Sequence, residues 1–193
     1  MKSLWREWPS LKQTIAAQQR LLLLLDFDGT LSPLAETPAA AKLPPRVRRL
    51  LVRLVSLPGV HVAVISGRSV TYLRRMIRLR PIFYSGNHGL ELAGPQTSYC
   101  HPKAARLRKR IRRWARSWRD SVDRVPGALL ENKGVSLSLH FRHVLPQHLG
   151  AFRALVRRLQ IETADYPVRW QRGKKREGWI RAREQGEFIG SFK

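Results

Sequence analysis

The chain of 193 residues has little cysteine and little acid, and it has no long apolar run. Its single cysteine, Cys100, cannot form an internal disulfide, which is typical of proteins in a reducing compartment. The leucine run at 21–25 is far shorter than the roughly 20 apolar residues that cross a bilayer, and too short for the core of a signal peptide. We therefore expect a cytoplasmic chain with no membrane partner and no disulfide framework.

The shortage of acid leaves a large positive charge. Lys and Arg number 37 against 13 Asp and Glu, which gives a formal net charge of +24. Such a balance indicates either an anionic partner or solvated helix faces rich in arginine. The segment 103–119 holds nine basic residues and no acid. Apolar residues recur in it every three or four positions: Leu107, Ile111, Trp114 and Trp118. This spacing predicts an amphipathic helix whose tryptophans lie in a core, so we expect no specific nucleic-acid partner.

The first half of the chain alternates strand and helix patterns. After a leading helix at 4–19, apolar strand patterns occupy 21–25, 60–65 and 82–86, with helical patterns at 44–59 and 69–79 between them. Such alternation predicts an α/β fold with a parallel sheet, in which the apolar run 21–25 is a central strand.

The second half has a different pattern. After the basic helix, 135–142 alternates apolar and polar residues, which predicts a strand with one wet face, and 146–160 is helical. We therefore divide the chain into an N-terminal core part, 1–94, a smaller α/β module, 95–172, and a tail, 173–193, that has no clear period.

Two carboxylates, Asp26 and Asp28, follow the first strand directly. Residues i and i+2 share a face, and the carboxyl end of a parallel strand is where ligands bind in open sheets. A hard cation such as Mg²⁺ would hold two such carboxylates together, and one of them could attack phosphorus. The simpler alternative is an Asp-Gly turn that closes a strand.

Polar residues also follow the next two strands. Ser66 and Gly67 come directly after 60–65, where a hydroxyl and backbone amides before a helix would suit a phosphate. The loop after 82–86 contains Asn87 and His88 between two glycines. We expect these three strand ends to form one polar edge.

The segment DFDGTL with a downstream strand-Ser resembles the haloacid dehalogenase superfamily of phosphohydrolases. LLLLLDFDGTLSPL, PGVHVAVISGR, GNHGLEL and ENKGVSLSLHFR, in this order, resemble the trehalose-6-phosphate phosphatases. The resemblance implies a Rossmannoid core with an inserted α/β cap module, and dephosphorylation of trehalose 6-phosphate through an aspartyl-phosphate in trehalose biosynthesis.

The same resemblance assigns roles to individual residues. Asp26 would be the nucleophile and Asp28 the general acid and base, with Mg²⁺ bound by the Asp26 carboxylate and the Asp28 backbone carbonyl. The phosphoryl group would be bound by Ser66 and Gly67. The sugar phosphate would be bound by the remaining set: Arg68, Asn87, His88, Glu131 and Lys133. For Glu131 and Lys133, a solvated hairpin turn is the alternative.

The chain also departs from the family pattern. A later lysine segment and an acidic GDD-type loop are not visible, and no two acidic residues are adjacent. We therefore expect the C-terminal part of the core to be missing and this chain to be a poor phosphatase. The alternatives are another sugar-phosphate phosphatase of the superfamily, an inactive truncated remnant, and a basic module that binds anions or nucleic acid.

Overall fold

The structure is a computed structural model that describes residues 4–172 and 177–182. The chain divides into two compact units, Met1–Ser98 and Tyr99–Lys193. The described helices are α1 (Leu4–Ala16), α2 (Pro45–Val55), α3 (Val70–Ile77), α4 (Pro102–Ser117), α5 (Arg119–Asp123) and α6 (Leu149–Glu162). The described strands are β1 (Leu21–Asp26), β2 (Val60–Ile65), β3 (Phe83–Gly86), β4 (Glu91–Ala93), β5 (Ser98–Cys100), β6 (Leu129–Asn132), β7 (Ser136–His140), β8 (Val168–Arg172) and β9 (Glu177–Ala182). The rest of the predicted tail, 173–176 and 183–193, lies outside the described residues. No described helix has the length and apolar content that a bilayer span requires.

The first sheet has the order β1-β2-β3-β4-β5. β1, β2 and β3 run parallel, with Leu21 opposite Val60 and Ala63 opposite Phe83. The helices α2 and α3 provide the crossovers, which confirms the predicted α/β fold. β4 turns back antiparallel to β3, which the sequence did not predict because the strand has only three residues.

One face of this sheet carries the core of the unit. Val62 and Val64 of β2 and Tyr84 of β3 are buried there, together with Leu51 of α2 and Leu73 of α3. The Tyr84 hydroxyl donates a hydrogen bond of 2.6 Å to the Leu79 carbonyl. Burial raises the pKa of that hydroxyl, so it remains a donor at neutral pH.

The opposite face of the same sheet is apolar and exposed in part. Leu22 and Leu24 of β1 are 50% and 48% exposed, and Ile65, Phe83 and Leu92 are each 39% exposed. The prediction that 21–25 is a central strand is wrong for the described residues, where β1 lies at the sheet edge. An unbroken leucine run is compatible with a strand covered on one face or on both, so the sequence does not distinguish them.

The second unit is an antiparallel sheet of order β6-β7-β9-β8 with helices packed on it. Trp114 of α4 and Trp118 are buried and their rings stack at 5.6 Å, as the helical spacing predicted. The predicted wet face of β7 is instead buried at Ser136, Ser138 and His140. Alternation shows which residues share a face but does not show whether neighbouring groups cover it.

Two adjacent leucines of α2 provide a test of this packing. Leu51 is 1% exposed and Leu50 is 56% exposed. Leu51→Ala should lower the free energy of unfolding by about 2–5 kcal/mol because it leaves a cavity in the core. Leu50→Ala should change it by no more than about 0.5 kcal/mol. Urea denaturation of the full chain measures both, and equal losses would contradict the placement of α2.

Candidate active site

The first predicted catalytic residue, Asp26, ends β1. It lies opposite Ile65 in the parallel register, so Ser66 follows one residue later on the neighbouring strand. Both residues are therefore at the carboxyl edge of the sheet, as predicted. After Asp26 the chain turns tightly around Phe27, which is fully buried and whose carbonyl accepts the amides of Leu31 and Ser32.

Asp28 is held in this turn by an arginine from the next strand end. The Arg68 guanidinium donates to both carboxylate oxygens, with Nη2 2.7 Å from Oδ1 and Nε 2.8 Å from Oδ2. Such a bidentate pair orients the carboxylate more strictly than a single hydrogen bond would. The pair joins the loop after β1 to the loop after β2.

The guanidinium of Arg68 is itself enclosed. Its central carbon lies 4.4 Å from the ring centroid of Tyr72 and 5.7 Å from that of Phe27, and the side chain is 11% exposed. Sequence reasoning expected Arg68 to bind substrate, whereas in this structure its guanidinium is bound to Asp28. It missed Tyr72, because Arg68 precedes α3 and no local pattern places the two side chains together.

Ser66 is 5% exposed and lies at the centre of a hydrogen-bonded turn. Its amide donates to the Ser85 carbonyl at 2.9 Å, and its hydroxyl accepts the Arg68 amide at 3.2 Å. From the third strand end, the amide of Asn87 donates to the Arg68 carbonyl at 2.7 Å and that of His88 to the Ser66 carbonyl at 3.3 Å. The backbone thus binds the second and third strand ends together.

The loop after β3 has an uncommon backbone. Asn87 and His88 both have positive φ, 51° and 56°. Asn87 is buried, and its Nδ2 donates to Glu91 Oε2 at 2.7 Å, so it supports the loop, while His88 is exposed. The same Glu91 oxygen accepts the amide of Val70 at 3.3 Å, at the start of α3. The predicted site set omitted Glu91, because its contact with the start of α3 joins residues far apart in the sequence and no local pattern indicates it.

Glu131 and Lys133 lie in the second unit, at a hairpin between β6 and β7. Glu131 Oε2 is 2.8 Å from His140 Nε2 and 3.6 Å from Lys133 Nζ. The predicted hairpin turn is present, with Asn132 exposed at the turn and the Lys133 side chain 11% exposed. Opposite Glu131 on β7 lies Ser138, whose hydroxyl is buried and has no hydrogen-bond partner among the described residues.

The donors at Asp26 and Asp28 are of the kind that Mg²⁺ prefers. Magnesium is commonly held by one or two carboxylates together with phosphate and water. The turn after β1 uses the carbonyl of Phe27 and the amide of Gly29, which leaves the Asp28 carbonyl out of that pairing. Within residues 4–172 and 177–182, no three His, Cys, Asp or Glu side chains group as a metal site. The two aspartates therefore fit magnesium by donor type, with phosphate and water needed to complete it.

Gly86, at the end of β3, has no room for a side chain. A Cβ on Gly86 would lie 2.5 Å from the Val70 amide nitrogen and 2.8 Å from the Arg68 carbonyl oxygen. Gly86→Ala should therefore lower the free energy of unfolding by about 2 kcal/mol or more, because backbone atoms cannot move aside cheaply.

Gly→Ala variants at two other positions provide controls for the free energy of unfolding. A Cβ on Gly67 would meet the His88 ring at 2.6 Å, and this ring can rotate away, so Gly67→Ala should cost less. Gly150→Ala in α6 meets no atom within 4 Å and should be neutral or stabilising by about 1 kcal/mol. Urea denaturation ranks the three variants. A loss at Gly86 no larger than at Gly150 would contradict the interlocked loops.

The chain is similar in sequence to curated trehalose-phosphate phosphatases. The Arabidopsis thaliana trehalose-phosphate phosphatase B is 28% identical over 170 residues, which cover 83% of this chain and 44% of that protein. The Mycobacterium tuberculosis trehalose-phosphate phosphatase is 32% identical over 136 residues, 70% of this chain and 34% of that protein. The chain thus spans less than half the length of these relatives.

A solved structure and a family model extend the comparison. The C-terminal domain of the C. albicans trehalose-6-phosphate phosphatase is 26% identical, with a TM-score of 0.69. The alignment covers 90% of this chain and 61% of that structure. The trehalose-phosphatase family model matches residues 24–176, which include every predicted site residue. Because that match takes in most of the sequence, the chain belongs to the trehalose-phosphatase family.

Proposed function

We propose that this chain carries a phosphohydrolase site that removes phosphate from trehalose 6-phosphate. The observation that carries the proposal is the meeting of Asp26 and Ser66 at adjoining strand ends, beside an Asp28 whose orientation Arg68 sets. Membership of the family supports the substrate class. The single cysteine supports a reducing, cytoplasmic setting, and a sugar phosphate is the expected small-molecule partner.

The first step in this proposal is nucleophilic. An Asp26 carboxylate oxygen attacks phosphorus, the bond from phosphorus to the sugar oxygen breaks, and an aspartyl-phosphate forms. Ser66 accepts the Arg68 amide, which leaves its hydroxyl proton to donate to a phosphoryl oxygen. Such a donor stabilises the charge that develops in the transition state.

Asp28 moves the protons in the two steps. Asp28 enters the first step as the neutral acid and gives its proton to the departing sugar oxygen, which leaves the carboxylate that Arg68 binds. That carboxylate then takes a proton from the water that hydrolyses the aspartyl-phosphate, and the neutral acid is restored. Each carboxylate oxygen has two lone pairs, so the bonds from Arg68 orient Asp28 without using all of its capacity. Arg68 therefore acts as a positioning residue for Asp28.

Mg²⁺ would be held by the Asp26 carboxylate and the Asp28 carbonyl, and when bound it offsets the negative charge of the phosphoryl oxygens.

The second unit supplies the groups that we propose read the sugar. Glu131, fixed by His140 and Lys133, is an acceptor for sugar hydroxyls. The Ser138 hydroxyl, which has no partner among the described residues, is a further polar group on the same face.

Removal of the nucleophile tests the covalent step. Asp26→Asn is isosteric and should reduce Mg²⁺-dependent phosphate release from trehalose 6-phosphate by at least about a thousandfold, since an amide does not form the intermediate. Asp123→Asn changes an exposed aspartate of α5 and is the matched control. Turnover by purified Asp26→Asn within tenfold of the parent chain would exclude the mechanism.

A second variant tests recognition of the sugar. Glu131→Ala should reduce kcat/KM for trehalose 6-phosphate at least about tenfold more than for p-nitrophenyl phosphate, because sugar hydroxyls lose a half-buried acceptor. Asp120→Ala, at an exposed position of the same unit, should affect both substrates equally little. Equal losses for the two substrates in Glu131→Ala would show that Glu131 does not read the sugar.

A further inference from the structure

The second unit contains a cavity that plays no part in the proposed reaction. Its volume is about 890 Å³, within the range of small-molecule sites, and it lies between α6 and the β7 and β8 strands. Its walls are mostly apolar, with Leu139, Phe141, Phe152 and Trp170 among the lining side chains. A cavity of this kind suits a ligand with an apolar body.

The lining also carries charge of one sign. Arg153 and Arg157, one turn apart on α6, both line the cavity, and none of the described lining residues is acidic. No ion pair joins either arginine to another residue within the described parts of the chain. Two guanidinium groups on one side of the cavity can bind an anionic head group in a forked geometry.

The wall also contains the side-chain amides of Gln160 and Gln171 and the indole of Trp170. The indole nitrogen is already satisfied. Trp170 Nε1 donates to Thr163 Oγ1 at 2.9 Å, and its ring lies 6.2 Å from that of Trp118. The indole therefore offers only apolar surface to the cavity. This leaves the two arginines as the described charged groups that could select a ligand.

We propose that this cavity binds an amphipathic anion, a molecule with an aliphatic body and one terminal phosphate, phosphonate or carboxylate group. The apolar walls bury the body, and Arg153 and Arg157 pair with the head group. A free sugar phosphate fits this lining less well, because most of its hydroxyls would be buried against apolar side chains, and the amides of Gln160 and Gln171 are the described neutral polar groups there.

Isothermal titration of the full chain with decylphosphonate, which a phosphatase cannot hydrolyse, tests the proposal. We expect saturable binding at a single site, and at least about tenfold weaker binding by the double variant R153Q/R157Q. R116Q/R158Q removes the same charge from exposed arginines that do not line the cavity and should change the affinity by less than about twofold. Circular dichroism confirms that each variant is folded.

Further ligands and a third variant separate the contributions of the apolar walls and of the arginines to binding. Methylphosphonate, which has the head group alone, should bind far more weakly than decylphosphonate. Val156→Asn, a change in the cavity wall, should weaken the binding of decylphosphonate. Titration with decanoate shows whether the site prefers a carboxylate or a phosphonate. Equal weakening by the two arginine pairs would overturn the proposal in favour of a diffuse positive field, as would tight binding of methylphosphonate or the absence of saturable binding.

Discussion

The ion pair between Arg68 and Asp28 is the interaction on which the candidate site depends. It joins the turn after β1 to the turn after β2, and its bidentate geometry gives Asp28 one orientation. Stacking of the guanidinium on Tyr72 and Phe27 limits its contact with water, so the pair is less screened than an exposed salt bridge. The positively charged chain therefore uses one of its few acids where orientation matters most.

Backbone geometry extends this constraint to the third strand end. Asn87 donates its amide to the carbonyl of Arg68, and Gly86 leaves no room for a side chain beside Val70. Glu91 then ties the loop to the start of α3. Each of the three loops is thus held by a neighbour, which is how a sheet edge keeps polar groups in a fixed arrangement despite the cost of ordering loops.

The strand bounds and the residues at the strand ends were largely predictable from local sequence patterns. The strand 60–65 has the predicted bounds, and Asp26, Ser66 and Asn87 occupy the predicted strand ends. The position of each strand in its sheet and the burial of its two faces were not predictable in this way. β1 was predicted to be a central strand, and the polar side of β7 was predicted to be wet. Both predictions were wrong, because burial depends on elements far away in the sequence.

The sequence by itself determined the α/β order, the family and the residue types at the strand ends, since hydrophobic periodicity and short motifs are local properties. Only the tertiary structure decided which of those residues bond to one another. It placed the guanidinium of Arg68 on Asp28, and it put His140 and Lys133 around Glu131. It also brought α6 and the end of the β-sheet together around an apolar cavity with two arginines. Arg68 and Asp28 are 40 positions apart in the sequence. Contact between residues so far apart in the chain follows from tertiary packing, which no local pattern specifies.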